Sequence, residues 1–185
     1  MGYAQALDKA WEGVRALMGD KRSSVRFISD TYDIDPASKR AVSASNNSAA
    51  KDHVAIILLH YLYRKLTIGR LPELTGEWVG FDSLEGGEGY LPAFRKRTIS
   101  RIVQRYGSRP EELYDAGSGM SAERGAFKDV SIIVHPFDEV AILIKISKAD
   151  PEFPPDAGVL FDKNISAIFC TEDIVVLTEM IVHQL

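Results

Sequence analysis

Apolar side chains at Leu7, Trp11, Val14 and Met18 recur at alternating steps of four and three residues, which predicts an amphipathic helix over Tyr3–Met18. Gly19 stops it, and Asp20–Ser24 is a polar connector. Val25–Ile28 and Lys39–Val42 then flank Asp33-Ile34-Asp35-Pro36-Ala37-Ser38, whose Asp-x-Asp-Pro chemistry favours a turn and so predicts a hairpin. Ser45–Ser48 offers capping side chains to a second helix over Ala49–Leu66. That helix is apolar on most sides, which predicts a central position with Ile56, Leu59 and Leu62 in the core.

Beyond a loop containing Pro72, Glu77–Phe81 reads as a short strand and Gly86–Gly89 as the most flexible stretch. A single third helix is expected from Pro92, with Phe94, Ile99, Ile102, Val103 and Tyr106 as its apolar side and Gly107 as its end. Pro110–Asp115 makes a short helix. Val130–Val134 and Val140–Ile146 are β-branched runs joined by His135–Glu139, and Gly158–Asp162 is a third strand. Thr171 as a cap, followed by Glu172 and Asp173, starts a last helix whose core face is Ile174, Leu177 and Ile181. Helices before and after a run of strands, without βαβ alternation, predict an α+β fold. Its antiparallel sheet of about three to five strands packs against N-terminal, central and C-terminal helices in a single domain, residues 1–185.

At 45% hydrophobic and 26% charged residues the composition supports a packed core. A net charge of -4 argues against nucleic acid as a partner. Cys170 is the one cysteine, so no internal disulfide and no cluster of the chain's own is expected, and a reducing cytoplasmic setting fits. No cofactor and no metal are expected: His53 and His60 are about 10 Å apart along a helix, too far to share one zinc ion. The apolar runs Val54–Leu59 and Val140–Ile144 are too short to cross a bilayer, and the amino terminus lacks the pattern of a secretory signal.

A glycine-rich stretch running into a helix with Arg95, Lys96, Arg97, Arg101 and Arg105 has the makings of an anion site. It matches no phosphate-loop pattern, and Glu88 adds a negative charge. Arg97, Arg101 and Arg105 read as a solvated stripe. Arg95 falls on the wheel at the centre of the face made by Phe94, Ile99, Ile102 and Tyr106. It is therefore expected to be buried and paired with Asp150, Glu152 or Glu88. Cys170, beside Ile168 and Phe169, is expected to be packed and inert.

Several segments carry a resemblance: Leu58-Leu59-His60-Tyr61-Leu62, Leu74-Thr75-Gly76-Glu77-Trp78-Val79-Gly80-Phe81 onward to Ala93-Phe94-Arg95, Asp150-Pro151-Glu152-Phe153-Pro154-Pro155 onward to Leu160-Phe161-Asp162, and Thr171-Glu172-Asp173. Together they resemble, over nearly the whole chain, a family of anaerobic bacteria and archaea catalogued only as a domain of unknown function. Some of its members are joined to a cysteine-rich iron–sulfur module. The resemblance therefore implies a supporting role near anaerobic redox or one-carbon chemistry, with any cluster on a partner protein. It carries over no catalytic residues.

The leading expectation is a noncatalytic binding or accessory module for a small anionic ligand, a cofactor or a redox partner. Its candidate binding residues are Trp78, Phe81, Glu88, Tyr90, Arg95, Asp150 and Glu152, which fall in the irregular segments. Two alternatives stand beside it. One is a small enzyme with Glu88, Glu152 or Asp162 as general base and His60 or Arg95 polarising the substrate. The other is a homo-oligomeric interaction protein that buries a patch of Trp78, Phe81 and Tyr90.

Overall fold

The computed structural model describes residues 3–185, which divide into two compact units. The fold is α+β, with two antiparallel sheets of three and five strands.

The first unit runs to Pro72 and takes in Ala167–Phe169. It contains α1 (Tyr3–Met18), β1 (Ser23–Phe27), β2 (Asp30–Asp35), β3 (Arg40–Ser43) and α2 (Asp52–Ile68). The strands form a sheet in the order β1-β2-β3. Val25, Phe27, Ile34 and Ala41 face its core, as the two-residue period of a strand requires. Trp11 and Val14 of α1 pack with the apolar flank of α2, where Ile56, Leu59 and Leu62 are all buried. Leu59 has no exposed surface, so Leu59→Ala is expected to cost about 2–5 kcal/mol in urea unfolding; a cost under about 1 kcal/mol would contradict its place in the core.

Two boundaries differ from expectation. Asp33-Ile34-Asp35 is strand, not turn, because Ile34 fills the core between Ser23 and Ala41 while the two aspartates alternate outward. The turn lies at 36–39, where Asp35 Oδ1 accepts from the amides of Ala37 and Ser38 at 3.0 and 3.3 Å. The second helix starts at Asp52 without a side-chain cap, since Ser45–Ser48 is otherwise engaged. The Ser43 and Ser45 hydroxyls donate to Asp30 Oδ2 at 2.6 and 3.0 Å, and the Ser43 amide donates to the Ser48 carbonyl.

The second unit comprises Glu73–Ser166 and Cys170–Leu185. Its elements are β4 (Trp78–Gly80), α3 (Gly87–Arg97), α4 (Ile99–Tyr106), α5 (Glu112–Ser118), β5 (Glu123–Arg124), β6 (Val130–Phe137), β7 (Val140–Ser147), β8 (Asp156–Asp162) and α6 (Thr171–Gln184). The strand order is β4-β8-β7-β6-β5. One cross-strand row, Val134, Ile142, Phe161 and Val79, runs across four of these strands. Phe161 meets a pair of stacked rings, Phe81 and Phe94, whose centroids are 4.0 Å apart and whose planes differ by 2°. β5 is two polar residues long and has no hydrophobic signature by which to be recognised.

The expected single third helix is two helices. Thr98, with φ -120° and ψ -72°, breaks the run, and its buried hydroxyl donates to the Phe94 carbonyl at 2.7 Å. The glycine-rich stretch is not a flexible loop. It forms the first turn of α3, five residues ahead of Pro92, and Gly87 sits against the backbone of Phe81 so closely that a Cβ would lie 2.0 Å from that carbonyl oxygen.

Candidate anion-binding site

None of the three depressions described below is lined by the expected site residues. Trp78 on β4 is half-buried and meets Phe127 edge-on at 6.2 Å. Phe81 is 2% exposed and belongs to the aromatic core, so it cannot join Trp78 and Tyr90 in one exposed patch. Tyr90 stands out from α3 at 54% exposure, with Glu88 exposed in the first turn. Asp150 and Glu152 lie in the exposed turn between β7 and β8, where Asp150 Oδ1 accepts from the amides of Glu152 and Phe153, both at 2.8 Å.

Arg95 overturns the expectation of a buried ion pair. It is exposed on α3, and among the described residues it bonds neither to Asp150 nor to Glu152 nor to Glu88. The wheel that buried it assumed one continuous helix. With the break at Thr98, Phe94 alone sets the buried face at the end of α3, and the residue beside it turns outward. Cys170 is likewise exposed, at the N-cap of α6, although Ile168 and Phe169 are buried.

Asp162, weighed as a general base, is a structural anchor. Its side chain is 1% exposed and accepts from the Thr75 amide and hydroxyl, the Gly76 amide and the Asn164 amide at 2.8 to 3.1 Å. Burial alone would raise its pKa, but these donors outweigh that effect and hold the carboxyl below its ordinary value. Gly76, at φ 73°, supplies the left-handed backbone that turns its amide onto the carboxylate. The Thr-Gly-Glu-Trp and Leu-Phe-Asp segments are thus two sides of one latch, reinforced where Lys163 bonds Glu77.

The strongest chemistry lies on the outer surface of α3 and α4. Residues 89–110 hold six of the chain's 22 Lys and Arg residues and none of its 26 Asp and Glu residues, so a cationic strip is set into an otherwise acidic protein. Two of the six are neutralised locally: Arg97 by Glu179 of α6 at 3.2 Å, and Arg109 by Glu112 at 2.6 Å. No ion pair with a carboxylate engages Lys96, Arg101 or Arg105 among the described residues. Lys96, Arg97, Ser100, Arg101 and Gln104 line a depression of about 480 Å³. Arg101, Gln104, Arg105 and His183 line its neighbour, about 420 Å³. Arg101 and Gln104 belong to both. The floor is rigid, because Ile102 and Tyr106 are buried and the Tyr106 hydroxyl donates to the Leu185 carbonyl oxygen.

A larger depression, about 800 Å³, lies on the outer face of the first unit's sheet, but its charges are mixed. There Arg22 bonds Asp35 at 2.8 Å and Ser24 donates to Asp33, so the surface offers no net field. Arg97, Arg101 and Arg105, expected as a solvated stripe, are indeed exposed. What sets this stripe apart from an ordinary solvated face is the absence of acids over residues 89–110. Among the described residues no group of three His, Cys, Asp or Glu side chains is placed to hold a metal ion, and no helix is long and apolar enough to cross a membrane.

A family model described as a domain of unknown function, DUF3786, matches residues 8–184. No curated protein and no solved structure matches the chain.

Proposed function

Because the chain belongs to the DUF3786 family, a domain of unknown function that brings no activity with it, we propose a role from its own chemistry: a noncatalytic binding module that holds an anionic ligand or partner on the α3–α4 face. One observation carries this reading, the placing of Lys96, Arg101 and Arg105, none of them in an ion pair with a carboxylate among the described residues, around two joined depressions that also offer Ser100 and Gln104. Guanidinium groups present fixed forks of donors that suit oxyanions. Of the three candidate bases, Asp162 is withdrawn from catalysis because a general base needs a lone pair directed at its substrate, and those of Asp162 are spent on four donor groups. A reducing, cytoplasmic setting belongs to the same proposal and rests on a chain with one cysteine.

Titration with inorganic tripolyphosphate at low salt, followed by calorimetry, tests the reading. Arg101→Glu is expected to weaken binding at least tenfold, since it replaces an attraction shared by both depressions with a repulsion. Its unfolding free energy should stay within about 0.5 kcal/mol of the parent's because the side chain is exposed. Raising the salt should weaken the parent's binding. Absence of binding by the parent, or equal binding by the variant, would remove the basis for the proposal.

A further inference from the structure

Resting on that reading, we infer that the occupant of the α3–α4 face is an acidic protein surface, one presenting carboxylates in a row, and not a nucleotide or a nucleic acid. The basic positions repeat in steps of four residues at Arg97, Arg101 and Arg105, with Ser100 and Gln104 between them. Within α4, at about 1.5 Å of rise per residue, Arg101 and Arg105 stand about 6 Å apart along the axis, while Lys96 and Arg97 close α3 on the other side of the break at Thr98.

Three features select among anions. First, the donors are side chains on long stems over two open depressions, with no glycine loop of amides to enclose a single phosphate; the glycine-rich stretch is the start of α3, where Gly87 is buried against Phe81. Second, neither depression is lined by an exposed Tyr, Trp or Phe ring for a base to stack on: Tyr106 is 3% exposed with its hydroxyl bonded to Leu185, and the exposed Tyr90 of α3 lines neither. Third, the strip is short, and all 26 acids of the chain lie outside residues 89–110. A nucleic-acid backbone, charged along its whole length, would meet repulsion on leaving the strip, whereas a protein patch can be acidic opposite the strip and neutral beyond it. Charge complementarity of that size suits a helix with Asp or Glu at every fourth position. The molecule shows the pairing in miniature where Glu179, on α6, meets Arg97 at 3.2 Å.

The test uses the intact chain and three probes: a fluorescein-labelled alanine-based helical peptide with Glu at four-residue steps, the same peptide with Gln at those positions, and a labelled single-stranded oligonucleotide, with tripolyphosphate as the small-anion control. The Glu peptide is expected to bind at least tenfold more tightly than the Gln peptide and than the oligonucleotide. The double variant Arg101→Glu, Arg105→Glu should lose that binding by at least tenfold, and Arg101→Lys should retain most of it. Backbone amide shifts on adding the Glu peptide should map to Lys96–Arg105. Tripolyphosphate binding at those residues without peptide binding would overturn the acidic-protein inference and leave the anion-binding reading standing. Tighter binding of the oligonucleotide would overturn the inference in favour of nucleic acid. Binding of neither anion would overturn both.

Discussion

Asp162→Ala is expected to destabilise the second unit by about 3–5 kcal/mol in urea unfolding followed by circular dichroism. The carboxylate is buried and accepts from three backbone amides and the Thr75 hydroxyl, so its removal leaves several donors facing a void. Asp162→Asn keeps the volume but turns an amide group toward the same donors, and about 2–3 kcal/mol of loss is expected. The parent should also show an acid limb. Its folded carboxyl titrates below the ordinary aspartate value of about 3.9, so its contribution is fully present above roughly pH 4 and is lost as pH falls through the folded value. In Asp162→Asn that share of the acid limb should vanish. A cost under about 1 kcal/mol for Asp162→Ala would show that the latch between Thr75-Gly76 and Asp162 does not hold the fold.

Phe94→Ala is expected to cost about 3–5 kcal/mol, among the largest effects of any exchange outside the latch. The ring is 1% exposed, lies parallel to Phe81 and tilts against Phe161, so its loss opens a cavity between α3 and the sheet and removes a stacked contact. Because Phe81 and Phe94 share that contact, Phe81→Ala combined with Phe94→Ala should cost less than the sum of the two single exchanges. Strict additivity would show that the rings act independently, contrary to their 4.0 Å stacking.

What the sequence determined by itself is what depends on local periodicity. The four-and-three spacing of Leu7, Trp11, Val14 and Met18 predicts α1 with the bounds it has, and the β-branched runs at Val130 and Val140 predict β6 and β7 as neighbours. The dipole-matched acids Glu172 and Asp173 mark the start of α6 within one residue. The α+β class follows from the order of such elements. The resemblance to an uncharacterised family is likewise carried by short local segments, now covered by a family match over residues 8–184.

Tertiary structure decided the rest, because it depends on partners distant in the chain. Nothing local shows that Thr98 breaks the helical run; the break lets Phe94 stack on Phe81 while α4 lays Ile102 and Tyr106 in the core, and it moves Arg95 from the expected core to solvent. Asp162 looks like any acid at a strand end, and only the meeting of residues 75–76 with 162–164 makes it a saturated anchor. Burial of charge and polar groups is a property of such meetings, since the cost of desolvation depends on which donors the folded chain brings to them. The acid-free strip at residues 89–110 was present in the sequence throughout, but its meaning rests on Arg97 alone finding Glu179 while Lys96, Arg101 and Arg105 gather around two open depressions.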